Sequence, residues 1–313
     1  MTKVAAIDCG TNSIRLLVAE ADPATGSLTD LDRRMEIVRL GQGVDRTGRL
    51  APEALERTFA ACRAYAEVIA AHDVSRVRFV ATSASRDASN RDDFVGGVLD
   101  ILGVRPEVIT GDEEAALSFT GATRELATHQ AALVVDIGGG STEFVLGDER
   151  VRAARSVDIG CVRLTERHLL HDGELTDPPT AAQIAAIRAD IERAIDEAAA
   201  TVPMRDSTTL VGLAGSVTTV GAIAQGLTAY DSAAIHRSRV SYEQVKDITA
   251  TLLAATHAER AANPVIHPGR VDVIGVGALI LQTIMERTSA AEVVVSEHDI
   301  LDGIAWSVAE AGA

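Results

Sequence analysis

Two carboxylates, three glycines and two hydroxyls fall within eight consecutive residues, Asp136-Ile137-Gly138-Gly139-Gly140-Ser141-Thr142-Glu143. Three glycines in a row let a main chain approach a ligand more closely than any Cβ would allow. Successive amide N–H groups in such a turn can converge on an anion, and Ser141 and Thr142 add hydroxyl donors. Asp136 and Glu143 stand at the two lips. They suit a hard divalent cation that neutralises phosphate oxygens, with waters completing its shell. A glycine-rich hairpin that binds nothing shares the pattern, but here the acids and hydroxyls sit where an anion and its cation need them.

Ala132-Leu133-Val134-Val135 leads into this stretch and Phe144-Val145-Leu146 leads out. Both runs are short, apolar and bounded by glycine, so they predict buried strands joined by a tight turn. The N-terminus repeats the device. Val4-Ala5-Ala6-Ile7 enters Asp8-Cys9-Gly10-Thr11-Asn12-Ser13, and Ile14-Arg15-Leu16-Leu17-Val18 leaves it. Asp8 matches Asp136, Gly10 matches Gly138, Ser13 matches Ser141, and Arg15 falls opposite Glu143. Two distant copies of one unit predict two similar domains, each with an anion-binding hairpin built around Gly10, Thr11, Asn12 and Ser13 or its counterpart.

These two stretches together resemble the exopolyphosphatase/guanosine-pentaphosphate phosphatase (Ppx/GppA) family, and later segments extend the resemblance over nearly the whole chain. It implies an α/β fold of two actin-like (ribonuclease H-like) domains with an interdomain cleft. Residues 1–126 with 299–313 would form the first domain, since the closing helix of such folds returns to it, and residues 127–298 the second. The sequence lacks the added C-terminal helical domain of longer family members. The implied activity is release of terminal orthophosphate from inorganic polyphosphate by Mg²⁺-assisted water attack, with Mn²⁺ as the alternative metal. Hydrolysis of guanosine pentaphosphate is the other substrate reading. A non-catalytic sensor of polyphosphate or alarmones, and an ATP-dependent kinase of the same superfamily, are the other classes.

The strand Val77-Arg78-Phe79-Val80-Ala81 runs into Thr82-Ser83-Ala84-Ser85-Arg86, with Asn90 and Arg91 behind it. Guanidinium forks match phosphate geometry, although a solvated arginine at a helix start looks the same. The family's Thr-Ser-Ala-x-Arg-x-x-x-Asn stretch makes Arg86 the implied phosphate clamp, with Arg91 weaker. Further on, Gly111-Asp112-Glu113-Glu114-Ala115 opens a helix whose apolar face includes Leu117, Phe119 and Leu126. Acids in a first turn ordinarily just complement the helix dipole. The resemblance instead puts the catalytic glutamate on Glu114, where a carboxylate could orient or deprotonate the attacking water. Glu113 is the alternative, and neighbours about 100° apart on a helix cannot both face one site.

Ser156–Glu166 resembles the family's Gly-x-x-Arg-Leu-Thr-Glu segment, with Arg163 either an internal ion-pair partner or a ligand contact. Gly212-Leu213-Ala214-Gly215-Ser216-Val217-Thr218-Thr219 resembles another family turn. A strand entering a helix there makes Gly215 and Ser216 a natural anion site, or a close-packed turn without a ligand. His236-Arg237-Ser238-Arg239 and His267-Pro268-Gly269-Arg270 are basic islands suited to guiding phosphates.

The pattern elsewhere predicts helices from Pro52 to about His72, over 91–102, after Asp177-Pro178-Pro179-Thr180, over Val271–Glu286 and over Ile304–Ala311. It also predicts strand edges at Val38–Val44 and Val108-Ile109. The 313 residues carry 29 Lys and Arg against 45 Asp and Glu, a net charge of −16. That disfavours a nucleic-acid binder. It admits a polyanion only if cations concentrate around the site, since local field decides entry. The three cysteines, at 9, 62 and 161, have no metal-ligand spacing and suit a reducing cytoplasm. Cys9 reads as a small buried hydrophobe more than a reactive thiol. No signal-peptide core opens the chain. The longest apolar stretch, Val271–Met285, is interrupted by Asp272 and Gln282 and is too short for a bilayer. No membrane or nucleic-acid partner is expected, and a homodimer stays open.

Overall fold

The computed structural model describes residues 1–124 and 131–311. The chain divides into two compact units, Met1–Arg124 with Asp299–Ala313, and Glu125–His298.

The first unit is built around β1 (Thr2–Cys9). Ala5, Ile7 and Cys9 enter one apolar cluster, shared with Cys62, Tyr65 and Phe94 from the helices Pro52–Ala71 and Arg91–Leu102. Val4 and Ala6 enter another, shared with Ile304 and Trp306 of the helix Ile300–Glu310. Burial on both faces explains why β1 is a continuous apolar run and not an alternation. β2 (Ser13–Asp22) and β3 (Ser27–Ile37) follow as an antiparallel meander, while β4 (Val77–Ala81) and β5 (Glu107–Val108) add in parallel on the other side. The order is β3-β2-β1-β4-β5.

The second unit repeats that plan. β6 (Ala132–Ile137), β7 (Thr142–Gly147) and β8 (Val151–Val157) form the meander. After a small two-stranded ribbon, β9 (Leu170–His171) with β10 (Glu174–Leu175), the sheet resumes. β11 (Thr209–Leu213) and β13 (Glu292–Val295) extend it in parallel, and β12 (Arg239–Ser241) adds an antiparallel edge. The order β8-β7-β6-β11-β13 matches the first sheet strand for strand. This repeated ribonuclease H-like plan is the expected α/β fold class. The helix Ala181–Ala199 covers the second sheet through Ile187, Ile191 and Ile195, and a Thr180–Gln183 capping box starts it. Among the described residues no helix is long and apolar enough to cross a membrane.

Several expected boundaries move. Val38–Val44 is not a strand edge: β3 stops at Ile37 and the following amides turn to the first hairpin. Val38 and Arg39 donate to the Asn12 carbonyl at 3.1 and 2.9 Å, and Gly41 donates to that of Thr11 at 2.9 Å. The short strand expected at Val108-Ile109 falls one residue earlier. The helix expected from Val271 runs Ile274–Thr288, because a 3₁₀ turn occupies Pro268–Arg270. The last helix begins at Ile300, not Ile304, because Asp299 caps it: its side chain accepts from the Leu301 amide, and Asp302 returns the favour to the Asp299 amide. Leu126, expected on the helix that opens at Gly111, lies outside the described residues.

Candidate active site

In each sheet the residues of interest follow the C-terminal ends of the parallel strands, where open α/β sheets bind ligands. In the first unit the loop after β1 carries Gly10–Ser13, the loop after β4 leads to Arg86, and the loop after β5 leads to Glu114. Hydrogen bonds extend the ladder past the strands and lock these loops together. Thr82 donates to the Cys9 carbonyl and Ile109 to that of Ala81, each at 3.1 Å. Arg86 Nη1 then donates to the Ile109 carbonyl and to Glu114 Oε2, both at 3.1 Å. The implied clamp and the implied catalytic acid are therefore an ion pair.

The choice between the two adjacent glutamates has a geometric answer within this unit. Glu113 turns outward, its carboxylate 45% exposed and bonded to Arg78 Nη2 at 2.7 Å. Glu114 turns in against Arg86, its side chain 10% exposed. Thr110 caps their helix, Gly111–Thr123, by accepting from the Glu113 amide, which sets the rotation of both. Arg91 is exposed at the start of its helix. Asn90 is a brace, its amide pairing with both backbone groups of Leu50.

The two hairpins close identically. Gly10 N donates to Ser13 O, and Gly138 N to Ser141 O, both at 3.0 Å. Around the first, Thr11 shares a 2.8 Å hydrogen bond with Ser83, and the buried Asn12 Nδ2 has no hydrogen-bond partner. A buried amide donor left unpaired is costly unless a ligand completes it.

Around the second hairpin, Asp136 and Glu143 are direct cross-strand partners, 7% and 1% exposed. Ser156 Oγ donates to Glu143 Oε1 at 2.7 Å. The turn is backed by the helix Cys161–Leu169. Cys161 N donates to Gly138 O at 3.0 Å, and Val162 N and Arg163 N to Gly139 O at 2.9 and 3.0 Å. Because a trans peptide points its C=O and N–H in opposite directions, the amides of Gly139 and Gly140 face away from that helix. Gly160 permits this packing: a Cβ on it would lie 2.3 Å from Gly139 O. Thr142 is not free to donate outward, since its buried hydroxyl bonds the Ile159 carbonyl at 2.5 Å.

Gly215 and Ser216 start the helix Ala214–Ala224 after β11. A Cβ on Gly215 would overlap the Arg270 guanidinium, 1.7 Å from Nη1, so this glycine exists to let Arg270 lie across the helix start. Ser216 is buried and bonds the Cys161 thiol, whose pKa burial pushes up. Arg270 thus packs against this turn, a placement that its basic island did not predict. His267 is a turn residue that accepts from the Gly269 amide, and His236 accepts from Glu297 N.

Sequence reasoning missed three supporting residues. Ser156 carries no distinguishing local signal, and Gly160 stood only as the first residue of the Gly-x-x-Arg-Leu-Thr-Glu segment, with no packing role. Arg15 was matched to Glu143, yet its ion pairs with Asp8 and Asp299 span the chain: Nε and Nη2 reach Asp8 Oδ2 at 3.0 and 2.6 Å, and Nη1 reaches Asp299.

Two ribonuclease H-like units, each ending its central hairpin in a glycine-serine turn with amides presented outward, define a phosphate-handling protein. The comparisons with known proteins make this specific: the chain belongs to the Ppx/GppA phosphatase family, whose model matches residues 17–310. It is 52% identical over 321 residues to Exopolyphosphatase 2 of Mycobacterium tuberculosis, covering 99% of both chains. The crystal structure of an exopolyphosphatase-like protein, 44% identical, superposes over 100% of both chains with a TM-score of 0.93. The Aquifex aeolicus family member is 30% identical, over 99% of this chain and 97% of its own, with a TM-score of 0.79.

Proposed function

We propose that this protein is an exopolyphosphatase that removes terminal orthophosphate from inorganic polyphosphate by attack of water in line with the scissile P–O bond. The observation that carries this reading is the part-buried Arg86–Glu114 pair that follows the parallel strands of the first unit, together with two glycine-serine turns of the same closing geometry. The full-length likeness to a protein named exopolyphosphatase supports the choice of substrate class.

The first unit supplies Glu114, which Arg86 holds in one orientation, to align or deprotonate the water. It also supplies the Asn12 amide and the turn Gly10–Ser13 as oxyanion donors. Both contacts of Arg86 use Nη1, and a guanidinium has five donors. Arg86 can therefore orient Glu114 and still meet a phosphate oxygen. The second unit supplies the amides of Gly139, Gly140 and Ser141 and the Gly215–Ser216 helix start. Donors placed in advance where charge spreads over a transferring phosphoryl group account for most of such catalysis.

Asp136 and Glu143 fit Mg²⁺, with Mn²⁺ the alternative. They are hard oxygen donors, both buried, and set side by side by strand register, an arrangement of like charges that a cation relieves. Among the described residues no group of three or more His, Cys, Asp or Glu could hold a metal alone. A pair of carboxylates suits Mg²⁺, which takes one or two of them and completes its shell with water and substrate phosphates. When bound, the metal would neutralise phosphate oxygens.

The test is orthophosphate release measured side by side on polyphosphates of several lengths, guanosine pentaphosphate and ATP, with Mg²⁺ or Mn²⁺. Polyphosphate should be turned over fastest, and Glu114→Ala should abolish turnover while leaving polyphosphate binding largely intact. Faster release from guanosine pentaphosphate would reassign the substrate. Binding without release by the wild type would make the protein a sensor.

A further inference from the structure

We infer that Arg163 is a positioning residue for this reaction, holding the Gly140–Ser141 peptide so that the Ser141 amide is presented to phosphate. The inference rests on the function proposed above. All three carbonyls of the glycine triplet are claimed from one side. The amides of Cys161, Val162 and Arg163 take the first two, and Arg163 Nε takes the third, Gly140 O, at 2.6 Å. The three amides are first-turn donors of their own helix, which have no partner within it; the loop and the helix therefore satisfy each other. The third bond differs in kind. It comes from a side chain, it is charge-assisted, and it is short.

That third peptide is still free to turn on its glycine side. Gly140 has no Cβ to hold its ψ, and rotation of the Gly140–Ser141 peptide costs little without an external bond. Its N–H belongs to Ser141, the hydroxyl residue of the turn. Fixing the carbonyl against Arg163 fixes the N–H on the opposite face. The first hairpin solves the same problem with backbone: the Asn12 carbonyl, equivalent to that of Gly140, is held by the amides of Val38 and Arg39. Only the second hairpin entrusts it to a side chain. The Arg163 side chain is 11% exposed, and the 2.6 Å bond from its Nε to Gly140 O ties it directly to the turn.

The experiment compares Arg163→Ala and Arg163→Lys with wild type in kcat and KM for orthophosphate release from polyphosphate. A second readout is the Ser141 backbone amide in NMR spectra of the unliganded protein. Loss of one aligned donor predicts a kcat lower by about 10²-fold with KM nearly unchanged. Lysine keeps the charge but has no donor at the Nε position, so it should stay close to alanine. Added guanidinium should restore part of the kcat of Arg163→Ala. The Ser141 resonance should shift or broaden in both variants while those of residues 10–13 stay in place. Wild-type kcat in Arg163→Lys would overturn the inference, since charge alone would then suffice, and so would an unmoved Ser141 resonance. If Arg163→Ala does not fold, Arg163→Lys at unchanged Tm decides alone. A wild type silent on every phosphoanhydride defeats the proposed function, and the Ser141 resonance then still decides the positioning role.

Discussion

At the positions that face each other across each hairpin, β1–β2 sets Asp8 against Arg15 and β6–β7 sets Asp136 against Glu143. The backbone is the same in both, down to the closing hydrogen bond of 3.0 Å. The charge is not. In the first, Arg15 lies between Asp8 and Asp299 and ties the base of the turn to the cap of the last helix. In the second, two acids are buried side by side. One copy of the device uses its charges to hold the unit together; in the other, the proposed function gives the acid pair to a cation. A duplicated fold can thus divide stability and ligand chemistry between its halves by one substitution at one register position.

The largest effect should come from the acid pair. Glu143→Gln is expected to lower kcat/KM about a thousandfold, the several kcal/mol a divalent metal contributes, and to raise the Mg²⁺ concentration needed for half activity. Asp8→Asn, which removes the acid that the first hairpin has in place of Asp136, should cost less than about tenfold. Steady-state rates across a Mg²⁺ titration check both, and a reversal of the two would move the metal to the first hairpin. Stability should divide the opposite way. Arg15→Met strands two buried carboxylates and should cost about 3–5 kcal/mol in urea unfolding, whereas Glu143→Gln should leave stability unchanged or raise it by relieving like-charge contact. Equal losses in the two variants would mean the halves are not specialised.

The next effect is steric and again compares equivalent places. Gly160 and Gly41 each follow the third strand of their sheet and back the hairpin turn. An added Cβ at Gly160 meets main chain, 2.3 Å from Gly139 O and 2.5 Å from Gly140 N. At Gly41 it meets side chains and no main chain, the Thr11 methyl at 2.3 Å and the Thr11 and Ala84 Cβ atoms at 3.1 and 3.2 Å. Gly160→Ala should therefore cost activity by about tenfold or more through displacement of the turn, and Gly41→Ala by a few-fold at most. Rates and thermal melts of the two variants rank them.

What the sequence disclosed follows from how far each feature reaches along the chain. Both hairpins were legible because strand, turn and strand are contiguous, and their register follows from the turn. The two-domain plan followed from the repeat, and the fold class from the family resemblance that the hairpins carry. The Arg91–Leu102 helix was legible for the same reason, with Gly103 ending it in the left-handed conformation. Features decided by distant partners were not. Nothing local says that Arg15 binds a residue 284 positions away. The early start of the last helix depends on the same residue, Asp299, in its second role as cap. Glu113 and Glu114 are indistinguishable in sequence, and what separates them is Arg78 on one side and Arg86 on the other. Val38–Val44 looked like a strand because its residue types suit one, but its amides had a nearer claimant in the turn of the first hairpin.

The smallest effect tests whether the two acids that share Arg15 are unequal. Burial disfavours the charged form of both. At Asp8 it outweighs Arg15, and the carboxyl is raised above its usual range. At Asp299 burial is outweighed by Arg15, the Leu301 amide and Arg33, and the carboxyl is held below it. The signs of linkage then differ. Asp299 contributes stability above the unfolded value of about 3.9, and loses it as pH falls through its lower folded value. Asp8 withdraws stability as pH rises from about 3.9 through its higher folded value. Relative to wild type, Asp299→Asn should therefore weaken as pH rises from the acid side, while Asp8→Asn should gain, and both should converge on wild type at low pH. Asparagine caps a helix as well as aspartate, so the difference reports the charge alone. Urea midpoints between pH 3 and pH 7 measure it, and parallel curves for the two variants would show that Arg15 serves both acids equally.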